Sequence, residues 1–318
     1  MGSHMQPILG KRILLLFVCC VSLFNLHAQD ALPKATLGKV ERIRDFQSKF
    51  VTPRNIDIWL PPGYPDSGRY DVLYMHDGQM LFDSANTWNK QAWEVDEVAA
   101  QLMQAGKVKN FIVVGIWNGG QTRHADYFPQ KPFELLLNQI ERDTISSQLQ
   151  NVGRATAAFK PQSDNYLKFI VSELKPKIDI SYSVYTTQEH TFIAGSSMGG
   201  LISLYAICEY PEVFGGAACL STHWPGTFTL QNNPFPLAMQ LYLEIQIPNP
   251  ANHHIYFDCG NQTLDALYPL LQKNVDEVMH KMKYNQTNWL TYYDEGADHS
   301  EHAWHKRLHI PLMFLLSR

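Results

Sequence analysis

The chain has 318 residues, 45% of them hydrophobic, which is enough apolar surface for one large α/β domain or two small ones; one is expected. A formal charge of −4 with no dense Lys/Arg run removes the electrostatic reason to expect nucleic acid or an anionic membrane as partner.

The opening Met1-Gly2-Ser3-His4 reads as the remnant of an expression tag and carries no fold information. Lys11-Arg12, the apolar run 13–24 and the small-residue ending at Ala28 follow the order of a secretory signal. Residues 1–28 are therefore expected to be tag remnant plus signal. The remainder, 29–318, would be exported to the periplasm or secreted, with no stable membrane insertion after cleavage. Lipid attachment at Cys19 is the lesser alternative, because bulky Phe17-Val18 precede it and an apolar stretch follows it. Cleavage leaves Cys208, Cys219 and Cys259, each in an apolar pattern, so buried free thiols are expected rather than a disulfide framework.

Residues 55–60 alternate as a strand and stop at Pro61-Pro62-Gly63, after a polar lead-in read as non-regular. A second strand, 70–75, runs into His76-Asp77-Gly78-Gln79, the kind of strand-end glycine turn where a parallel sheet carries functional loops. Here Gly78 would let the backbone approach a substrate, with the Gln79 N–H as a hydrogen-bond donor, while His76 and Asp77 read as a loop-stabilising pair. A helix over 93–103 places Val95, Val98 and Leu102 on one face, and the continuous apolar run 111–117 suits a strand buried on both faces. Between 118 and 160 the periodicity weakens around Gly119-Gly120, Pro129 and Pro132. A lid-like insertion with a short helix near 138–150 is expected there. Trp117, Arg123 and Tyr127 could line a pocket, but packing under the insertion is the commoner fate of such aromatics, and they are not assigned to the site.

A helix over 166–174, a strand over 191–194, a helix through 207 and a strand over 214–220 follow. Next come a strand over 255–260, a helix over 264–282, a last strand over 289–293 and a terminal helix over 302–316. This alternation predicts an α/β class fold, with a mainly parallel central sheet and helices on both faces.

Gly195-Ser196-Ser197-Met198-Gly199 falls between a strand and a helix. On such a turn the glycines remove side chains that would collide, Ser197 is a candidate nucleophile, and the Met198 N–H at the helix N-terminus suits a developing oxyanion. A serine hydroxyl needs a base to take its proton and a third group to orient that base. His299 follows the last strand and Asp265 a late one, giving the chain order Ser197, Asp265, His299. Asp258 is the alternative acid. Asp265 is preferred because a strand residue points into core or helix rather than toward the sheet edge. His223 is disfavoured as base, since this order puts the base last. His302, His305 and His309 lack a metal-binding motif and read as solvated or hydrogen-bonded helix residues, so no metal ligand is assigned.

With these residues in hand, the chain resembles the esterase D-like family of α/β-hydrolases, which includes feruloyl and acetyl-xylan esterases and enterobactin-type esterases. The matching pieces are residues 72–79 with Leu81-Phe82, residues 195–200, residues 256–260, and His299 with Trp304-His305-Lys306-Arg307. The resemblance implies the α/β-hydrolase fold, Ser197 as nucleophile, His299 as base, and the N–H groups of Gln79 and Met198 as the oxyanion hole. It implies no metal or organic cofactor. One departure concerns the acid, which many relatives carry about three residues after the strand-end glycine. Here Thr263 stands there, and Asp265 is the first later carboxylate. Together these readings imply a serine carboxylesterase acting on a small-molecule or polysaccharide-linked ester. Feruloyl or acetyl esters of plant polysaccharide are the first choice, a siderophore ester the second, and a non-catalytic carbohydrate-binding relative the reading from a different class.

Overall fold

Eight strands form one sheet in the computed structural model, which describes residues 31–317. The expected tag and signal over 1–28 lie outside the described residues. The strands are β1 (Lys39–Phe46), β2 (Arg54–Leu60), β3 (Asp71–His76), β4 (Phe111–Ile116), β5 (Thr191–Ser196), β6 (Gly216–Leu220), β7 (His254–Cys259) and β8 (Trp289–Tyr293). Their spatial order is β1-β2-β4-β3-β5-β6-β7-β8, with β2 antiparallel to both of its neighbours and every later pair parallel. This is the α/β-hydrolase fold.

Strand β1 was not anticipated. Its sequence KVERIRDF carries five charged residues and only one buried one, as suits a strand bonded on one side only, where charge discourages pairing with another chain. The interior strands β3, β4, β5 and β6 are buried at every position and read as continuous apolar runs for that reason.

The helices are α1 (Val95–Gln104), α2 (Arg123–Tyr127), α3 (Gln130–Leu136), α4 (Gln139–Asn151), α5 (Ser163–Phe169), α6 (Lys175–Ser181), α7 (Met198–Glu209), α8 (Phe235–Gln246), α9 (Pro269–Lys281), α10 (Glu301–Arg307) and α11 (His309–Leu316). Two apolar clusters divide them between the sheet faces. Leu73, Met75, Phe111 and Val113 pack with Val95, Trp304, Leu308 and Leu312 on one face. Val72, Tyr74, Ile112 and Val114 pack with Tyr166, Leu204, Met239 and Met279 on the other. This is the strand period of two read out as two cores.

The segment 118–160, expected to be largely irregular, holds α2, α3 and α4. Helix α4 starts with a full capping box between Asn138 and Glu141. Helix α8 was also not anticipated; the segment before β7 carries no clean helical stripe, and Leu237, Leu241 and Ile245 are exposed. No helix among the described residues is long and apolar enough to cross a membrane. Cys208, Cys219 and Cys259 are free and buried.

Register sets where the loops emerge. Ser196 pairs with Leu220, and Leu220 with Asp258, so the chain leaves β5, β6 and β7 at one level of the sheet's carboxyl edge.

Candidate active site

Ser197 occupies the turn between β5 and α7 at φ 57° and ψ −122°, a conformation that costs an L-residue on the order of 1–3 kcal/mol. The surrounding structure holds it there. The Ser197 N–H donates to the Leu220 carbonyl at 2.9 Å, and the Ser197 carbonyl accepts from the His223 N–H at 3.1 Å. A Cβ on Gly195 would come within 2.8 Å of the Gly199 backbone, so the two glycines of the motif pack against each other. Met198 is the first residue of α7, which leaves its N–H without an intrahelical acceptor.

The Gln79 N–H lies in a single 3₁₀ turn, Gly78–Met80, after β3. Gly78 is required for a different approach from the one anticipated: a Cβ there would stand 2.5 Å from the Gly115 backbone on β4. The missing side chain lets the loop close on the sheet. His76 and Asp77 do not pair with each other. His76 Nδ1 bonds the Tyr166 hydroxyl at 2.8 Å, and burial lowers its pKa to about 3, so the ring is neutral. Asp77 sits at φ 56° and accepts two bonds from Arg123, at 2.7 and 2.8 Å, and one from Asn118 at 2.6 Å. Burial works to raise its pKa, but the Arg123 charge and these bonds outweigh it and hold the carboxyl below its ordinary value. Trp117 donates to Asp57 at 2.8 Å and Tyr127 is fully buried, so both are packing residues.

Asp265 and His299 are brought together. His299 Nδ1 lies 2.5 Å from Asp265 Oδ1, and a carboxylate only accepts, so Nδ1 carries the proton of this bond and Nε2 is the nitrogen left outside it. Asp265 is wholly buried in the 3₁₀ turn Thr263–Leu267, with its other oxygen accepting from the Gly260 N–H and the Ser221 hydroxyl, each at 2.7 Å. Thr263, three residues after Gly260, holds the His299 N–H on its hydroxyl at 2.9 Å. The loop is also stapled to the His299 loop by the Asn261 and Gln262 N–H groups, which both donate to the Ala297 carbonyl.

Asp258 faces elsewhere. It accepts from Arg307 Nη2 at 3.0 Å, the Ser221 N–H at 2.9 Å and the Tyr256 hydroxyl at 3.0 Å, and burial raises its pKa despite the Arg307 charge.

No hydrogen bond joins Ser197 to His299 among the described residues. Tyr268 lies beside both: its hydroxyl interacts with that of Ser197, and its ring lies 5.8 Å from the imidazole of His299, edge to face. The same hydroxyl is 2.7 Å from His223 Nδ1. Tyr268, Ser221 and Arg307 had no assigned role in the sequence. For Ser221, its place directly after β6, level with Ser197, was the available signal. His305 Nδ1 bonds the Trp93 carbonyl at 2.9 Å.

Among curated proteins the chain is similar to "Uncharacterized protein YbbA" of Bacillus subtilis, 25% identical over 173 residues, covering 54% of this chain and 58% of that protein. It is also similar to an "Endo-1,4-beta-xylanase/feruloyl esterase" of Xylanibacter ruminicola, 24% identical over 237 residues, covering 71% of this chain and 25% of that one. The chain thus spans less than two thirds of the length of either. Among solved structures, the enterochelin esterase of Shigella flexneri superimposes with a TM-score of 0.63 at 16% identity, covering 91% of this chain and 60% of that one. A ferulic acid esterase of Anaeromyces mucronatus gives 0.60 at 17% identity, covering 91% and 94%. These likenesses are of fold. The family model described as "Putative esterase" matches residues 48–314, and with that match spanning most of its length the chain belongs to this esterase family of α/β-hydrolases.

Proposed function

We propose that the chain is a serine carboxylic-ester hydrolase. The observation that carries this reading is the 2.5 Å bond between Asp265 and His299 at the same sheet edge as the strained Ser197 turn. His299 Nε2 takes the Ser197 proton as Oγ attacks the ester carbonyl carbon, and the oxyanion is held by the N–H groups of Gln79 and Met198. Collapse breaks the acyl–oxygen bond, and the His299 imidazolium gives its proton to the departing alcohol. Water, deprotonated by the same imidazole, then attacks the acyl-enzyme; as the bond from the acyl carbon to Ser197 Oγ breaks, the imidazolium returns its proton to Oγ and the acid is released. For the first step the Ser197 hydroxyl exchanges its contact with Tyr268 for one with His299, a closure expected on substrate binding. Export, read from residues 1–28, belongs to this proposal.

For the substrate, we rank an aryl-bearing ester first. Among the solved structures of similar fold, a ferulic acid esterase is described in complex with ferulic acid and an enterobactin esterase in the presence of 2,3-dihydroxy-N-benzoyl-serine, both aryl-bearing groups. Next to Tyr268, the His223 ring lies 5.3 Å from half-exposed Phe228, over which the Arg154 guanidinium stands at 5.7 Å. An aromatic wall with a cation suits a phenolic acyl group better than acetyl. An aryl ester, siderophore-type or feruloyl, is therefore placed ahead of the acetyl ester that the sequence reading also allowed. Initial rates on enterobactin, methyl ferulate and acetylated xylan test this. Hydrolysis of either aryl ester well above acetylated xylan is expected. Faster release of acetate would overturn the aryl reading, and inactivity on all three by folded protein would favour the non-catalytic relative.

A further inference from the structure

Ser221 immediately follows β6, at φ 40°, and is wholly buried. Its hydroxyl makes three short contacts: Trp304 Nε1 at 2.9 Å, Arg307 Nη2 at 2.8 Å and Asp265 Oδ2 at 2.7 Å. An indole N–H and a guanidinium can only donate, so they fill both lone pairs of the hydroxyl. Its one proton is left a single acceptor, Asp265. The direction of this bond is thereby fixed by its neighbours and not by the serine. Arg307 is itself anchored on buried Asp258 at 3.0 Å. The Ser221 N–H bonds the same Asp258 oxygen, at 2.9 Å. With Gly260 N–H and Ser221 Oγ on one oxygen and His299 on the other, the Asp265 carboxylate cannot rotate without breaking a buried bond.

We propose that Ser221 is a positioning residue for the reaction: polarised by Trp304 and Arg307, its hydroxyl aims Asp265 and, through it, the His299 imidazole. This rests on the reading of Asp265 and His299 as the acid–base pair.

The test uses Ser221→Ala and Ser221→Gly on the full chain, measuring kcat, KM, the thermal midpoint and the low-field proton resonance of His299 Nδ1–H. Glycine suits the positive φ and separates loss of the hydroxyl from backbone strain. Both variants are expected to lose kcat by about 10- to 100-fold with KM nearly kept, as for deletion of a buried hydrogen bond to a charged group. The resonance is expected to move upfield or broaden by exchange in both. Trp304→Phe, which removes one of the two donors on Ser221 Oγ and leaves Arg307 in place, should lower kcat by less than either Ser221 variant. The proposal is overturned by unchanged kcat and resonance, by full activity in the glycine variant alone, or by failure of both variants to fold, which would make Ser221 a requirement of the fold. Asp265→Asn separates the two readings. If it keeps wild-type kcat, the acid–base pair itself is wrong; if it is inactive while the Ser221 variants are not, only the positioning role falls.

Discussion

Asp265 and Asp77 both steady a loop at the sheet's carboxyl edge, but by different physics. Asp265 is wholly buried and bonded to an imidazole, a hydroxyl and an amide, all supplied by the loops that follow β6, β7 and β8. Asp77 keeps 14% of its side chain exposed and is held by Arg123 and Asn118, which belong to the segment after β4. The side proposed for acid–base chemistry is thus an extension of the sheet, whereas the side proposed to hold the oxyanion depends on an insertion reaching across to it. Changes on the first side should act on chemistry or on folding as a whole. Changes at the Asp77–Arg123 ion pair on the second should be smaller and more sensitive to salt.

The sharpest contrast lies within the acid–base side. Asp265→Asn should lower kcat by about 10⁴-fold in a folded protein, because the imidazole loses the partner that fixes its tautomer. Asp258→Asn should act mainly on stability, by about 3–5 kcal/mol, because it takes from the buried Arg307 the closer and wholly buried one of its two ion-pair partners, leaving Asp294 at 3.4 Å. Steady-state rates beside urea unfolding separate them, and the opposite pattern would exchange the two roles.

On the oxyanion side, Gly78→Ala puts a Cβ 2.5 Å from the Gly115 backbone and displaces the Gln79 N–H. A kcat loss of about 100- to 1,000-fold is expected, the usual consequence of losing one oxyanion donor. Wild-type kcat would show that this loop does not hold the oxyanion. Arg123→Ala should cost about tenfold in kcat/KM, since the guanidinium is 30% exposed and water replaces part of its effect. Arg123→Lys should restore only part of that, lacking the two-pronged contact. If the alanine variant's deficit does not diminish as salt rises, the ion pair is not what steadies Asp77.

The smallest effect is in the pH dependence of stability. His76 and His124 are neutral in the fold, with pKa values lowered by burial to about 3 from an ordinary 6.5. Between those values the unfolded chain binds protons that the folded one does not, so stability falls as pH drops through that window, by about 1.4 kcal/mol per pH unit per histidine. His76→Gln should flatten the slope by one such contribution in urea titrations from pH 6.5 to 4.5. An unchanged slope would mean that His76 titrates normally.

Much of this architecture was legible because parallel strands buried on both faces leave apolar runs that end in Gly, Asp, His or Ser. The turns at Gly78 and Ser197 could be placed that way. Strand β1 could not be, because a charged edge strand has no such run. Neither could α8, whose apolar residues surround it instead of lying on one face. Contacts at Ser221 and Tyr268 were invisible for another reason. Each depends on which neighbours converge on one oxygen atom, and neither strand periodicity nor loop chemistry encodes that. The departure at Thr263 was visible. Its consequence, a threonine hydroxyl holding the His299 backbone while Asp265 reaches the imidazole from within the following 3₁₀ turn, required the geometry.

The central claim is that Ser197 is the nucleophile served by His299. Reaction of the folded protein with a fluorophosphonate, followed by peptide mass mapping, tests it most directly. The account predicts a single adduct, on Ser197, formed at a rate that falls by orders of magnitude in His299→Ala. An adduct on another residue, or a folded protein that does not react, would contradict it.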